Sequence, residues 1–265
     1  WVPSRTSLAL WSINPFTSAE ALAAEIGEFG PNRLNRLIEY CRETHELRVV
    51  LTTPPEPDVI RSYERGTRTL SINARLEPAT QFFQIATHLA QAEQATLIGG
   101  IIESASFAAS EAREIARMGL ANYFAGALQM PYGPFLRAAE ALRYDIDLLD
   151  QQFGVGFETV CHRLSTLQRP GAPGVPFFFI RVDRAGNISK RQSATHFHFS
   201  RAGGTCPLWN VYEAFAHPGR ILPQLARMPD GRTYLWVAHT VTSRPGGYGE
   251  PQRSFSIGLG CDIQH

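Results

Sequence analysis

FFFIRVDRAGNISKRQS, residues 177–193, decides how the second half of the chain folds. An aromatic and β-branched run is followed by a short Ala-Gly-Asn turn and a second run, which reads as strand, turn, strand. Working outward, ATHFHFSR (194–201) alternates Phe197 and Phe199 with His196 and His198, a period of two that predicts another strand. TYLWVAHTVTS (233–243) and RSFSIGLG (253–260) predict two more, separated by the glycine-rich RPGGYGEPQ. Between them, WNVYEAFAHPGRILPQLARM (209–228) predicts a helical insert broken at Pro218.

Upstream the pattern is helical. TSAEALAAEIGEFG takes Ser18 as N-cap and Gly30 as stop. PNRLNRLIEYCRETHEL starts at Pro31 and places Leu34, Leu37, Ile38 and Cys41 on one face. LRVVLTT predicts a strand, and VIRSYERGTRTLSINARL a hairpin about Gly66. EPATQFFQIATHLAQAEQATLIGGIIE and SEAREIARMGLANYFAGALQMP predict two long helices, the second ended by Pro131. Three shorter helices follow, the last being GFETVCHRLSTLQ. The proline- and glycine-rich RPGAPGVP (169–176) predicts a domain joint or tight crossover. The fold class is therefore α+β: a mainly helical module with a β hairpin over residues 1–168, then a β-rich domain over 169–265.

Composition excludes several classes. Apolar residues make up 44% of the 265 and charged residues 18%, enough to bury a core and too ordered for a disordered chain. With 25 basic against 24 acidic side chains, the surface as a whole does not suit nucleic acid. Lys190 is the only lysine. No secretory signal or membrane span is evident, and four scattered cysteines make no disulfide framework, so a cytoplasmic location is expected. The chain begins at Trp1 rather than Met, as a fragment of a longer protein would. There is no G-x-S-x-G, no Walker loop and no G-x-G-x-x-G after a strand, so no enzyme class is called for.

The cysteines carry more. Cys41 lies on an apolar helix face and reads as a buried thiol. Cys161 in ETVCHRL, Cys206 in GGTCPLW and Cys261 in GLGCDIQ form no C-x-x-C pair and act together only if the fold gathers them. Glycine beside two of them lets the backbone approach something bulky, and Pro207 follows Cys206 as proline follows many cluster-ligating cysteines. Zinc held by three cysteines and a histidine is the alternative, with His162, His198 or His217 near in sequence.

Taken together, VCHRLSTLQRPG, PFFFIRVDRAGNISKRQSATHFHFSRAGGTCPLW, HPGRILPQLARMPDG and LGCD resemble the C-terminal domain of short-chain fatty acid transcriptional regulators of the PrpR and RamB type. ANYFAGALQMP and the helix before it resemble the ImmA/IrrE metallopeptidase-like module. A working module of that kind needs H-E-x-x-H to hold zinc and supply a base. The matching stretch is His88-Leu89-Ala90-Gln91-Ala92, and Leu120 stands where a third ligand belongs, so the resemblance implies a scaffold without peptidase chemistry.

The resemblance implies the effector-sensing region of a regulator of propionate, acetate or glyoxylate-cycle genes. DNA would be reached only through a helix-turn-helix domain outside this segment, and no membrane is involved. It further implies an acyl-CoA effector such as propionyl-CoA or acetyl-CoA, a [4Fe–4S] cluster on Cys161, Cys206 and Cys261, and a homodimer on palindromic sites. The basic hairpin residues Arg181, Lys190 and Arg191 suit the CoA phosphates, and Tyr248 in the glycine-rich loop suits a lid. Acyl-CoA binding where the two units meet is the expectation. A zinc-dependent peptidase and a structural zinc domain for partner contacts are the competing readings.

Overall fold

The computed structural model describes residues 15–27, 30, 32–56, 58–105, 107, 109–195, 197, 209–228, 230–242 and 253–265. They form two compact units divided between Val155 and Gly156. The α+β reading is borne out.

The first unit carries α1 (Pro15–Ile26), α2 (Arg33–His45), β1 (Arg48–Thr52), β2 (Arg61–Glu64), β3 (Thr69–Asn73), α3 (Pro78–Glu93), α4 (Ala95–Ser104), α5 (Ser110–Gln129), α6 (Tyr132–Ala141) and α7 (Ile146–Phe153). The predicted hairpin is β2–β3, and β1 adds to β3 in parallel, giving the order β1-β3-β2. The inner helix faces meet in one core with Leu37, Cys41, Leu70, Ile72, Ile85, Leu89, Phe124 and Leu128. Two polar ties pin it. Arg33 lies over the Phe82 ring, 5.1 Å away, and donates to the Leu128 and Gln129 carbonyls, capping the C-terminal end of α5. Glu93 accepts the Tyr40 hydroxyl at 2.8 Å and lies 2.6 Å from His45 Nε2, joining α3 to α2.

Three local expectations change. Ser18 lies inside α1, which starts at Pro15, so it is not the cap. The α2 helix starts at Arg33, two positions beyond Pro31, with Asn32 at its N-cap. The long helix over 77–103 is two helices meeting at Gln94, whose backbone leaves the helical region at φ −105°.

The second unit carries α8 (Phe157–Leu164), a two-strand turn β4 (Gln168–Arg169) and β5 (Ala172–Pro173), β6 (Phe178–Asp183), β7 (Ile188–Ser193), α9 (Asn210–Glu213) running into a 3₁₀ turn at Ala214–Ala216, β8 (Leu222–Arg227), β9 (Thr233–Thr242) and β10 (Ser254–Asp262). The segment RPGAPGVP forms most of the β4–β5 turn, reversing at Gly171 with φ +83°. The strands β6 to β10 make one antiparallel sheet in the order β7-β6-β10-β9-β8.

ILPQLARM is not the tail of a helical insert; it supplies the edge strand β8. Of the strand predicted at 194–201, Ala194 and Thr195 form a bend, with the Ala194 N–H donating to the Phe177 carbonyl at 3.0 Å, and most of the remainder lies outside the described residues. Phe197 stacks on Phe178, with centroids 4.2 Å apart.

One sheet face packs Phe178, Ile180, Val182, Tyr234, Trp236 and Ala238 against Trp209, Val211 and Ala214. The strand β10 runs beneath this core with glycine where neighbours crowd. A Cβ on Gly258 would come within 2.8 Å of Ile180, and one on Gly260 within 2.5 Å of Phe178 and Trp236. Among the described residues no helix is long and apolar enough to cross a membrane.

Candidate functional site

The opposite face of this sheet gathers the chemistry. Gly156, at φ +88°, turns the chain into α8. Phe157, Val160, Cys161 and Leu164 then recur at helical spacing and are all buried. The helix lies across the sheet: the Phe157 ring centroid is 4.6 Å from that of His239 on β9, and His162 meets Phe179 on β6 edge-on at 5.3 Å. At its far end Gln192 on β7 donates to the Ser165 carbonyl at 3.3 Å.

Cys161 is fully buried, one helical turn on from Phe157 and Glu158, the residues whose side chains meet the sheet. Cys261 pairs with Leu235 in the β9–β10 ladder and is one residue from Gly260, so strand alternation puts its side chain on the face that α8 covers. Cys261 is a free thiol. Burial, and then the Asp262 charge, push the Cys261 thiol up to about 11. Cys206 and Tyr248 lie outside the described residues. Among the described residues no three His, Cys, Asp or Glu side chains come together as a metal site. Cys41 belongs to the core of the other unit, where burial and Glu93 push it up to about 12.

The basic hairpin divides by face. Arg181 pairs with Lys190 and Ile180 with Arg191. Lys190 and Arg181 therefore share the α8 face, and Arg191 points from the other. The first two are not open cations. Glu158, in the first turn of α8, accepts from Lys190 Nζ at 2.8 Å and lies 3.4 Å from Arg181 Nε. That second contact is an ion pair without hydrogen-bond geometry, so Arg181 Nε is buried and unbonded. The guanidinium lies 3.6 Å from the centre of the Phe255 ring, which fixes its plane.

Glu158 escaped the sequence reading. Its place in a helix's first turn is visible in GFETVCHRL, but nothing in the order of residues links that turn to a hairpin thirty positions on.

The stretch that stands where a zinc peptidase of this kind would carry its ligands has the following surroundings. His88 packs on Tyr63, centroids 4.5 Å apart. Burial, then the Arg61 charge, hold its pKa below the ordinary 6.5. Leu89 is fully buried in the core, Ala92 is exposed, and Leu120 joins an apolar cluster with Ile98 and Ile102. A cavity of about 250 Å³ in the same unit is lined by Arg33, Phe82, Gln129, Gln151 and Phe153, and its guanidinium is already committed to the α5 carbonyls.

Known proteins resemble the chain over nearly all of it. Residues 166–265 match the profile "Short-chain fatty acyl coenzyme A regulator, C-terminal", and residues 42–165 that of the IrrE N-terminal-like domain. The HTH-type transcriptional regulator RamB of Mycobacterium tuberculosis is 50% identical over 249 residues, covering 94% of this chain and 52% of that protein. The HTH-type transcriptional regulator PrpR of the same species is 55% identical over 230 residues, covering 87% and 47%. The propionyl-CoA carboxylase regulator of Cereibacter sphaeroides is 53% identical over 206 residues, covering 78% and 44%. A solved structure described as a Mycobacterium tuberculosis transcriptional regulator superposes with a TM-score of 0.90 at 52% identity, covering 95% of this chain and 77% of that one. The chain spans about half the length of the curated relatives it matches.

Proposed function

Since this chain belongs to the short-chain fatty acyl coenzyme A regulators, with an IrrE-like domain ahead of the family's C-terminal domain, we propose that it is the effector-sensing part of a transcriptional regulator of propionate or related short-chain fatty acid metabolism. The effector is a short acyl-CoA, propionyl-CoA or acetyl-CoA, and the C-terminal unit holds a [4Fe–4S] cluster on Cys161, Cys206 and Cys261. DNA is reached through a helix-turn-helix domain outside this segment, the regulator works in the cytoplasm, and two copies act together on a palindromic site.

The observation that carries this reading is the shared face of the second unit. It presents cysteines from two distant segments, Cys161 and Cys261, and, on the same side of the sheet, two cations held on adjacent strands. Thiolates are the donors that iron–sulfur clusters take, so the described pair suits the group. When bound, the cluster supplies a redox-sensitive anchor between α8 and β10. Cys161 from the helix and Cys261 from the strand would hold it, and the neighbouring Phe179 and Leu259, which pair across β6 and β10, are buried. For CoA, Arg181 and Lys190 supply a guanidinium fork and a point charge, and the unbonded Arg181 Nε is a donor suited to a phosphate oxygen.

Proteolysis is not part of the reading. The places of the glutamate base and two zinc ligands hold Leu89, Ala92 and Leu120, two of them in apolar cores. Calorimetry with propionyl-CoA, acetyl-CoA and free CoA tests the effector: binding of at least one is expected, and none binding to folded, metal-loaded protein contradicts it.

A further inference from the structure

We infer that Glu158 is a built-in competitor for the phosphate-bearing ligand: its carboxylate occupies Lys190 and Arg181, an arriving phosphate takes its place, and its release loosens the helix that carries Cys161. This rests on the acyl-CoA reading above and adds to it the residue that sets affinity and links the ligand to the thiol.

The geometry has three parts. First, Glu158 neutralises both cations but hydrogen-bonds only one. Lys190 Nζ is 2.8 Å away, whereas Arg181 Nε, at 3.4 Å, stays buried and unbonded. A buried donor left without an acceptor is costly, and a phosphate has oxygens enough to serve both cations at once. Second, the pair is reachable. The Lys190 side chain is half exposed, and Glu158 and Arg181 keep about a quarter and a fifth of theirs in solvent. Third, Glu158 and Cys161 belong to one eight-residue helix, three positions apart. Glu158 at its start and the Ser165 carbonyl just past its end both fasten α8 to the hairpin. Removing the first takes away the ion-paired tie between the starting turn of the helix and the hairpin.

The test uses Glu158→Gln, which keeps the shape and removes the charge, with Glu158→Asp as a second variant and circular dichroism to check folding. CoA should bind Glu158→Gln tighter than the native chain by roughly threefold or more, because the competitor is gone. Inorganic pyrophosphate should compete for that site. In metal-free protein, CoA should speed alkylation of Cys161, read by mass spectrometry, and Glu158→Gln should show the faster rate without CoA. Cys41, in the other unit, should label at an unchanged rate throughout.

If CoA binds neither the native chain nor the folded variants, the acyl-CoA reading itself fails and this inference with it. If CoA binds the native chain but Glu158→Gln binds no tighter, the inference alone is overturned. The same holds if pyrophosphate does not compete, or if Cys161 labels at one rate in every sample.

Discussion

Gly260 lies flat against Phe178: a Cβ at Gly260 would approach the Phe178 ring to 2.5 Å. The glycine next to Cys261 therefore makes room for the protein's own core, on the face opposite the cysteine. Its neighbourhood to Cys261 is explained by packing and adds nothing to the case for a ligand there. Gly260→Ala should destabilise the second unit by about 2–3 kcal/mol, since overfilling a close-packed core displaces aromatic rings that have nowhere to go. Denaturant unfolding followed by tryptophan fluorescence reads this directly through Trp209 and Trp236.

The hairpin cations should separate by face. A charge-assisted phosphate contact contributes about 1.5–3 kcal/mol, so Lys190→Ala should weaken CoA binding roughly ten- to a hundredfold. Arg181→Ala should do the same, and Arg191→Ala, on the other face, should change little. Calorimetry on the three variants at fixed salt distinguishes them. Equal losses at Arg191 and Lys190 would move the phosphate site away from the α8 face.

His88 should make the first unit less stable in mild acid. Its pKa is held below the ordinary 6.5 by burial and Arg61, so the unfolded chain takes up a proton that the folded chain refuses. The contribution is fully present above about 6.5 and is lost as pH falls below that value towards the lower, folded pKa. His88→Asn should flatten this part of the stability–pH curve. Added zinc should bind the native chain no better than His88→Ala, and metal-dependent proteolysis lost with His88 would contradict the account.

Much of the fold is legible in the residues. The helices α2, α3 and α5 show their 3.6-residue period, and β6, β7, β9 and β10 their aromatic and β-branched runs. The strand β8 hides because Leu222, Gln224 and Ala226 point inward while Leu225, on the outer face, is 64% exposed, so the apolar residues follow no clean alternation. The break at Gln94 hides because neither proline nor glycine marks it. The site is legible in part. Residue types single out Cys161, Cys261 and Lys190, and period two alone separates Lys190 from Arg191. That Cys161 and Cys261 share a face needs the strand order, which pairs β10 with β6 across a long insertion. Glu158 needs the same knowledge, since its partners come from another element.

The most direct test of the account is the metal content and visible spectrum of anaerobically purified protein, native and with Cys161→Ser, Cys206→Ser, Cys261→Ser and Cys41→Ser. The account predicts a brown native protein with four irons per cluster, colour and iron lost in each of the first three variants, and both kept in Cys41→Ser. A colourless protein with stoichiometric zinc would replace the cluster by a zinc site on the same cysteines. Iron retained after Cys161→Ser or Cys261→Ser would contradict the central claim that the face beneath α8 is where the metal is held.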